Sequence, residues 1–243
     1  MKPAVIAIIA ASALSGWSLA PTAAAAAAAA VDPRPYNAHD LTGVWTHATR
    51  PNFGPFPFTP EYAAIQKAEQ DAAAAGRPNN RGQNPCVPAP LIFMMTLPTG
   101  PLEVSAIGDD RLVISKSNGS IYRVYLKRPH PAPDDVEPLL YGDSVGRWDG
   151  DTLVIDTVGL GASSGDAGGP HSDVLHVVQR LRRTAYNKLE NQLTIDDAKA
   201  LTRPVTGSLI YDLTPEVELG EFYCTNERII YDKDGKVGIA PAK

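Results

Sequence analysis

The sequence predicts an all-β fold, an antiparallel barrel or sandwich with one early peripheral helix. Three observations carry this. The chain has 243 residues with 22 prolines and 20 glycines against 5 phenylalanines and 3 tryptophans. About one residue in six therefore turns the chain, which suits short elements and argues against a helical bundle. From Leu102 onward, runs of β-branched and aromatic residues alternate with turn residues. Two of the turns, Asn118-Gly119 and Asp149-Gly150, are strong two-residue hairpin signals. Charge excludes one class early: a net charge of −5 argues against a general nucleic-acid binder.

In chain order, residues 1–30 read as a cleaved signal peptide. Met1-Lys2 is a short basic start, Val5–Ala20 is apolar and uncharged, and Ala23–Ala30 supplies small-residue cleavage options. The apolar core is short for a span of about 20 strongly hydrophobic residues. Cleavage after Ala30 would leave 213 residues and, with Lys2 lost, move the charge from −5 to −6. That length suits one domain with a sizeable core, and no membrane span is expected after cleavage. Residues 31–101 form a lead-in. Leu41–Thr46 is a first strand, and Thr59-Pro60-Glu61 opens a helix with a capping hydroxyl, a proline and an acid in the first turn. The helix should run to Gly76 on a weak apolar stripe, hence on a surface. A proline-rich wrap follows, with six prolines from Pro78 to Pro101 and one apolar burst, Leu91–Met95.

Residues 102–231 are the β body, one domain with the lead-in. Its strands are Leu102–Ile107, Arg111–Ser117, Ser120–Lys127, Ser144–Trp148, Asp151–Thr157, Asp173–Arg183, Lys188–Ile195, Gly207–Leu213 and Gly220–Ile230. A polar loop with five glycines, Gly159–Pro170, interrupts them, and residues 232–243 are a charged, frayed tail. The two cysteines, Cys86 and Cys224, sit in no thiol-chemistry motif. In an oxidising compartment an even count is most simply a disulfide, and such staples stabilise by about 2–4 kcal/mol.

Candidate chemistry gathers at residues 142–159, GDSVGRWDGDTLVIDTVG. A two-residue Asp149-Gly150 turn sets Asp143 opposite Asp156, with Trp148, Leu153 and Ile155 on one face and Asp143, Arg147, Thr152 and Asp156 on the other. Opposed carboxylates need a cation or a shared proton. Inside a barrel, one of them would have a raised pKa and serve as acid or base; on the outside they would form an ordinary solvated face. His171 and Asp173 are two apart and point the same way if the strand has begun, so they could orient an imidazole for proton transfer. His176, Arg180 and Arg182 share the opposite face. The histidines, at 39, 47, 130, 171 and 176, have no metal-ligand spacing, and no phosphate-binding glycine loop is present, so neither metal nor cofactor is expected.

Several of these stretches, Asp40–Trp45 (DLTGVW), Pro85-Cys86, Tyr223-Cys224, GDSVGRWDGDTLVIDT and His171-Ser172-Asp173 before Gln179-Arg180, resemble a widespread group of uncharacterised secreted bacterial proteins. A tryptophan after an L-T-G opening also resembles the first strand of lipocalin-type barrels. The resemblance implies an exported, periplasmic or secreted, lipocalin-like barrel and no reaction; Gln179 stands where that group is expected to carry a glutamate. The expected function is binding of a small, partly aromatic or apolar molecule inside the barrel, with Trp45 and Trp148 in its wall and Arg147 as a polar anchor. The alternative is a cofactor-independent lyase, isomerase or hydrolase, in which Asp143 or Asp156 and His171, with Asp173, move a proton while Arg147 stabilises an anion.

Overall fold

The computed structural model describes residues 30–75, 89–98, 100–117, 119–163, 169–220, 229–231 and 237–239. Nine strands form a closed barrel in chain order: β1 (Gly43–His47), β2 (Leu102–Ile107), β3 (Arg111–Lys116), β4 (Ile121–Tyr125), β5 (Asp143–Asp149), β6 (Thr152–Val158), β7 (His176–Ala185), β8 (Lys188–Asp196) and β9 (Val205–Leu213), which pairs back onto β1. A ring of antiparallel neighbours closes only with an even number of strands, so nine strands require one parallel seam. That seam is β4–β5, where a single pair, Tyr125 with Val145, joins parallel strands. The connection across it, residues 126–142, leaves Tyr125 beside Val145 and returns to Asp143 over the outer face of β5 and β6; we call it the strap. The closed ring excludes the sandwich. A separate two-stranded hairpin joins β10 (Ile229–Tyr231) to β11 (Val237–Ile239), so part of the expected frayed tail is paired.

Helix α1 (Pro60–Ala74) starts where the sequence places it and has no buried residue, as its weak stripe predicts. Its entry is held differently. Thr59 makes no side-chain cap; its hydroxyl donates to Lys199 O at 3.2 Å. The helix is followed by Ala75 as its cap, and Gly76 lies outside the described residues. The apolar burst Leu91–Met95, expected in a loop, is instead a second helix, α2 (Leu91–Thr96), with Leu91, Ile92, Met94, Met95 and Thr96 buried. A run apolar on nearly every side cannot lie on a surface, and burial overrides the surrounding prolines.

Both expected hairpins form, each with a different turn. Asp149 pairs with Thr152, so the β5–β6 turn is Gly150-Asp151 with positive φ only at Gly150 (58°), the pattern of a II′ turn. Lys116 bonds across to Ser120, so the β3–β4 connection takes three residues, with Gly119 at φ 79°. Because the β5–β6 shift is one residue on each strand, side-chain faces are conserved although every cross-strand partner changes. Asp143 lies opposite Val158 and Asp156 opposite Val145; the two carboxylates are diagonal.

The barrel interior is packed with side chains. Trp45, Tyr122, Val124, Leu153, Ile155, Val177, Leu193 and Tyr211 are wholly buried and belong to one apolar cluster. Through it runs a polar chain. Ser144 Oγ lies 2.8 Å from Thr157 Oγ1, which lies 3.1 Å from the Tyr122 hydroxyl. Gln179 donates to that hydroxyl at 3.1 Å and accepts from Asn191 at 3.1 Å. A buried polar group without a partner costs free energy, so these hydrogen bonds favour one register, although Asn191 Oδ1 is left buried without a hydrogen-bond partner. The barrel has two unlike ends. The hairpins at 108–110, 150–151 and 186–187 lie at one, where Asp32 meets Asn187 and His39 meets Gly150; α2 caps the other.

Candidate functional site

Six residues leave α2 with almost no internal hydrogen bonds, so its carbonyls need partners from outside. The barrel rim supplies them. Lys116 Nζ donates to Met94 O (3.1 Å) and Leu97 O (2.7 Å), and the Tyr211 hydroxyl to Met95 O (2.5 Å). His47 Nε2 lies 3.3 Å from the same Met95 O, so that nitrogen carries the proton. Its Nδ1 is then an acceptor, buried without a partner. Burial pulls Lys116 down to about 8, while burial and then the Lys116 charge pull His47 down to about 4. Burial likewise raises the Tyr211 hydroxyl. Three strands, β1, β3 and β9, thus hold one helix terminus.

Beside this cap lies a cavity of about 180 Å³, walled by Pro90–Ile92 of α2, Pro138–Leu140 of the strap, Leu160-Gly161 after β6, and His171 and Leu175 before β7. His171 is the one side chain with an ionisable group in this wall, and it also borders a smaller void under Phe56, Phe58 and Leu201. The segment carrying it is fixed from both sides. Its backbone pairs with Ser163 at 2.8 and 3.0 Å. The neighbouring Ser172 donates its N–H and its hydroxyl to Asp197, both at 2.7 Å. Asp197, 1 % exposed, also accepts the amides of Lys199 and Ala200. A buried carboxylate satisfied by backbone donors is a rigid post, and His171 stands next to it.

The carboxylates of β5 and β6 lie elsewhere, on the outer face of the barrel under the strap. Asp143 accepts from Arg128 Nη1 at 3.2 Å, pairs more closely with Nη2, and lies 2.6 Å from His130 Nδ1. Burial works against its charge, yet Arg128 and His130 together hold its carboxyl below the usual range. Of the two arrangements open to these carboxylates, an interior acid and an ion-paired outer face, Asp143 takes the second; its partners arrive from a segment that alternation along the strands does not reveal. Asp156 Oδ1 lies 3.3 Å from His130 Nε2 and 3.0 Å from His176 Nε2. Arg128 also stacks 3.8 Å above the Tyr125 ring, pinning the start of the strap.

The expected site residues therefore divide among several places. Asp143 and Asp156 join the outer cluster. Arg147 is exposed on the same face and, among the described residues, joins no ion pair there. His171 faces the cavity, whereas Asp173 is exposed and paired with Lys199 at 2.6 Å. Those two do not act together because β7 begins only at His176; residues 171–175 bend, so period-two alternation does not yet hold. Trp45 is inside the barrel with its indole donating to Leu41 O (3.0 Å) and the Arg183 guanidinium 5.5 Å from its ring. Trp148 is partly buried and stacks on His39 at 4.2 Å. Neither tryptophan lines the cavity. His176, Arg180 and Arg182 do share the outer face; Arg180 pairs with Asp149 at 2.9 Å, and Arg182 stands opposite Glu190.

Sequence reasoning passed over His130, Ser172 and Asp197. Pro129-His130-Pro131 was the available signal for the first, since flanking prolines stiffen the backbone that presents the ring. Cys86, Cys224 and residues 1–29 lie outside the described residues, and the disulfide and the signal peptide with them. Among the described residues, no group of three His, Cys, Asp or Glu side chains is arranged to hold a metal ion, and no helix is long and apolar enough to cross a membrane. Comparison with family models, curated proteins and solved structures finds no match.

Proposed function

We propose that the chain is an exported small-molecule-binding barrel, periplasmic or secreted, whose binding place is the cavity at its capped end and not the barrel interior. The observation that carries this reading is the cavity of about 180 Å³ lined by apolar side chains, exposed backbone polar groups and a single imidazole, beside an interior filled by its own side chains. Export rests on the basic start, apolar core and alanine run of residues 1–30, and on the resemblance to secreted bacterial proteins. Cavities for drug-sized ligands run to about 300–1,000 Å³, so this one suits a smaller molecule with an apolar body and one polar group for His171. The enzymatic alternative needs Asp143, Arg147 and His171 around one substrate, and His171 stands in the cavity wall, apart from the outer face that carries the other two.

Native mass spectrometry of the mature protein purified from its own compartment tests the reading. A retained molecule is the expected result. Loss of that molecule in Leu175→Trp, which fills the cavity, with retention in Arg147→Ala on the outer face, places it. Retention in the Leu175→Trp variant would exclude the cavity.

A further inference from the structure

His130 has two ring nitrogens and two carboxylates to meet. Its Nδ1 lies 2.6 Å from Asp143 and its Nε2 3.3 Å from Asp156. Asp143 is held ionised by Arg128 and His130 and so only accepts; the Nδ1 nitrogen must therefore carry a hydrogen. In a neutral imidazole the other nitrogen is then a lone pair, and it would face a carboxylate oxygen. His176 does not resolve this, because it donates to that same oxygen from the far side, at 3.0 Å. With Arg128 counted, the five groups of the cluster carry one net negative charge while both imidazoles are neutral. One added proton on His130 turns the lone pair into a donor and brings the cluster to neutrality.

The strap that carries His130 also builds the cavity. Downstream of the ring it makes the short 3-10 turn Pro133–Asp135, then supplies Pro138–Leu140 to the cavity wall. Leu139 is tied to the segment after β6 by its N–H to Gly159 O (2.9 Å) and by its carbonyl, which accepts from Gly161 (3.0 Å). Between the Arg128 anchor and this bridge, His130 is the strap's polar attachment to the β5–β6 face.

We propose that the strap is proton-locked: a doubly protonated His130 bridges Asp143 and Asp156 and clamps residues 126–142 against the barrel, and loss of that proton loosens the strap and opens the cavity wall. The groups facing the ring are Arg128 on the strap, Asp143 on β5, Asp156 on β6 and His176 on β7. An imidazole changes charge between pH 5 and 8, whereas the arginine does not titrate there. The consequence for ligand entry rests on the binding reading above; the docking of the strap does not.

Hydrogen–deuterium exchange of the full chain at pH 5.5 and pH 8, expressed as protection factors, tests it. Protection at Leu139 and Gly161 is expected to be about tenfold lower at pH 8, the scale of one lost charge-assisted hydrogen bond. His130→Ala should show the low protection at both pH values. Asp156→Asn should show the high protection at both, because its amide N–H can donate to the neutral ring. Equal protection of the natural chain at the two pH values, or an unchanged pH response in either variant, would overturn the proposal. Binding of phenol, a small apolar ring with one polar group, followed in parallel by ligand-observed NMR, separates the two readings. The exchange pattern above without phenol binding at either pH supports the strap and removes the cavity as a binding place.

Discussion

His47 and Lys116 sit side by side at the capped end, both held from water and both spent on carbonyls of one short helix. Their titrations push stability in stated directions. His47 is held at about 4 against an ordinary 6.5, so between those values the unfolded chain binds a proton that the folded chain refuses. Stability therefore falls as pH drops from about 6.5 toward 4, by at most about 3 kcal/mol. Lys116 is held at about 8 against 10.5, and by the same reasoning stability rises as pH climbs through that window. Urea unfolding across pH 4–10 measures both. His47→Gln keeps an N–H for Met95 O and should flatten the acid slope; an undiminished slope would assign it to other groups.

Helix α2 is the element on which the capped end depends. It is too short to persist alone, so its helical form comes from packing and from the rim's donors. Met94 and Met95 are 0 % and 1 % exposed, and Met94 is wholly enclosed between the helix and the barrel. Met94→Ala should destabilise the protein by about 2–5 kcal/mol in denaturant unfolding, the range for emptying a tightly packed site. Glu69→Ala on α1, which buries nothing, should change stability by less than about 0.5 kcal/mol. The contrast tests whether α2 is a working part of the core. Nothing in LIFMMT announces a helix: the run is short, and a buried helix and a buried strand look alike at that length. The longer strands were legible because period two is repeated over six to ten residues.

In the whole barrel, pairing is uneven. β7–β8 and β8–β9 share eight or nine register pairs each, whereas β4 and β5 share one. Closure at that seam depends on the strap, on Arg128 and on side chains packed behind Gly146, where a Cβ would meet Val124 and Leu126 at 2.8 Å. Local opening should therefore begin there. Amides of β4 and β5 are expected to exchange through low-energy local openings, while those of β8 exchange only on global unfolding, as read by exchange in sub-denaturing urea. Gly146→Val would force the seam apart and should make β4 and β5 exchange faster still.

By itself the sequence determined the class of fold, the approximate place of the nine barrel strands, and which side chains share a face of β5 and β6. These follow from local chemistry: alternation is a property of each strand, and turn residues act within four positions. Tertiary structure decided the rest. The partner of Asp143 is an arginine fifteen residues earlier on a segment that returns over the outside of the barrel. His171 parts from Asp173 because the strand starts late, and Lys116 finds carbonyls that belong to a helix the sequence did not reveal. The first follows from the one parallel seam that an odd number of strands requires, the second from where β7 starts and the third from burial of an apolar run, and no local rule sees any of them.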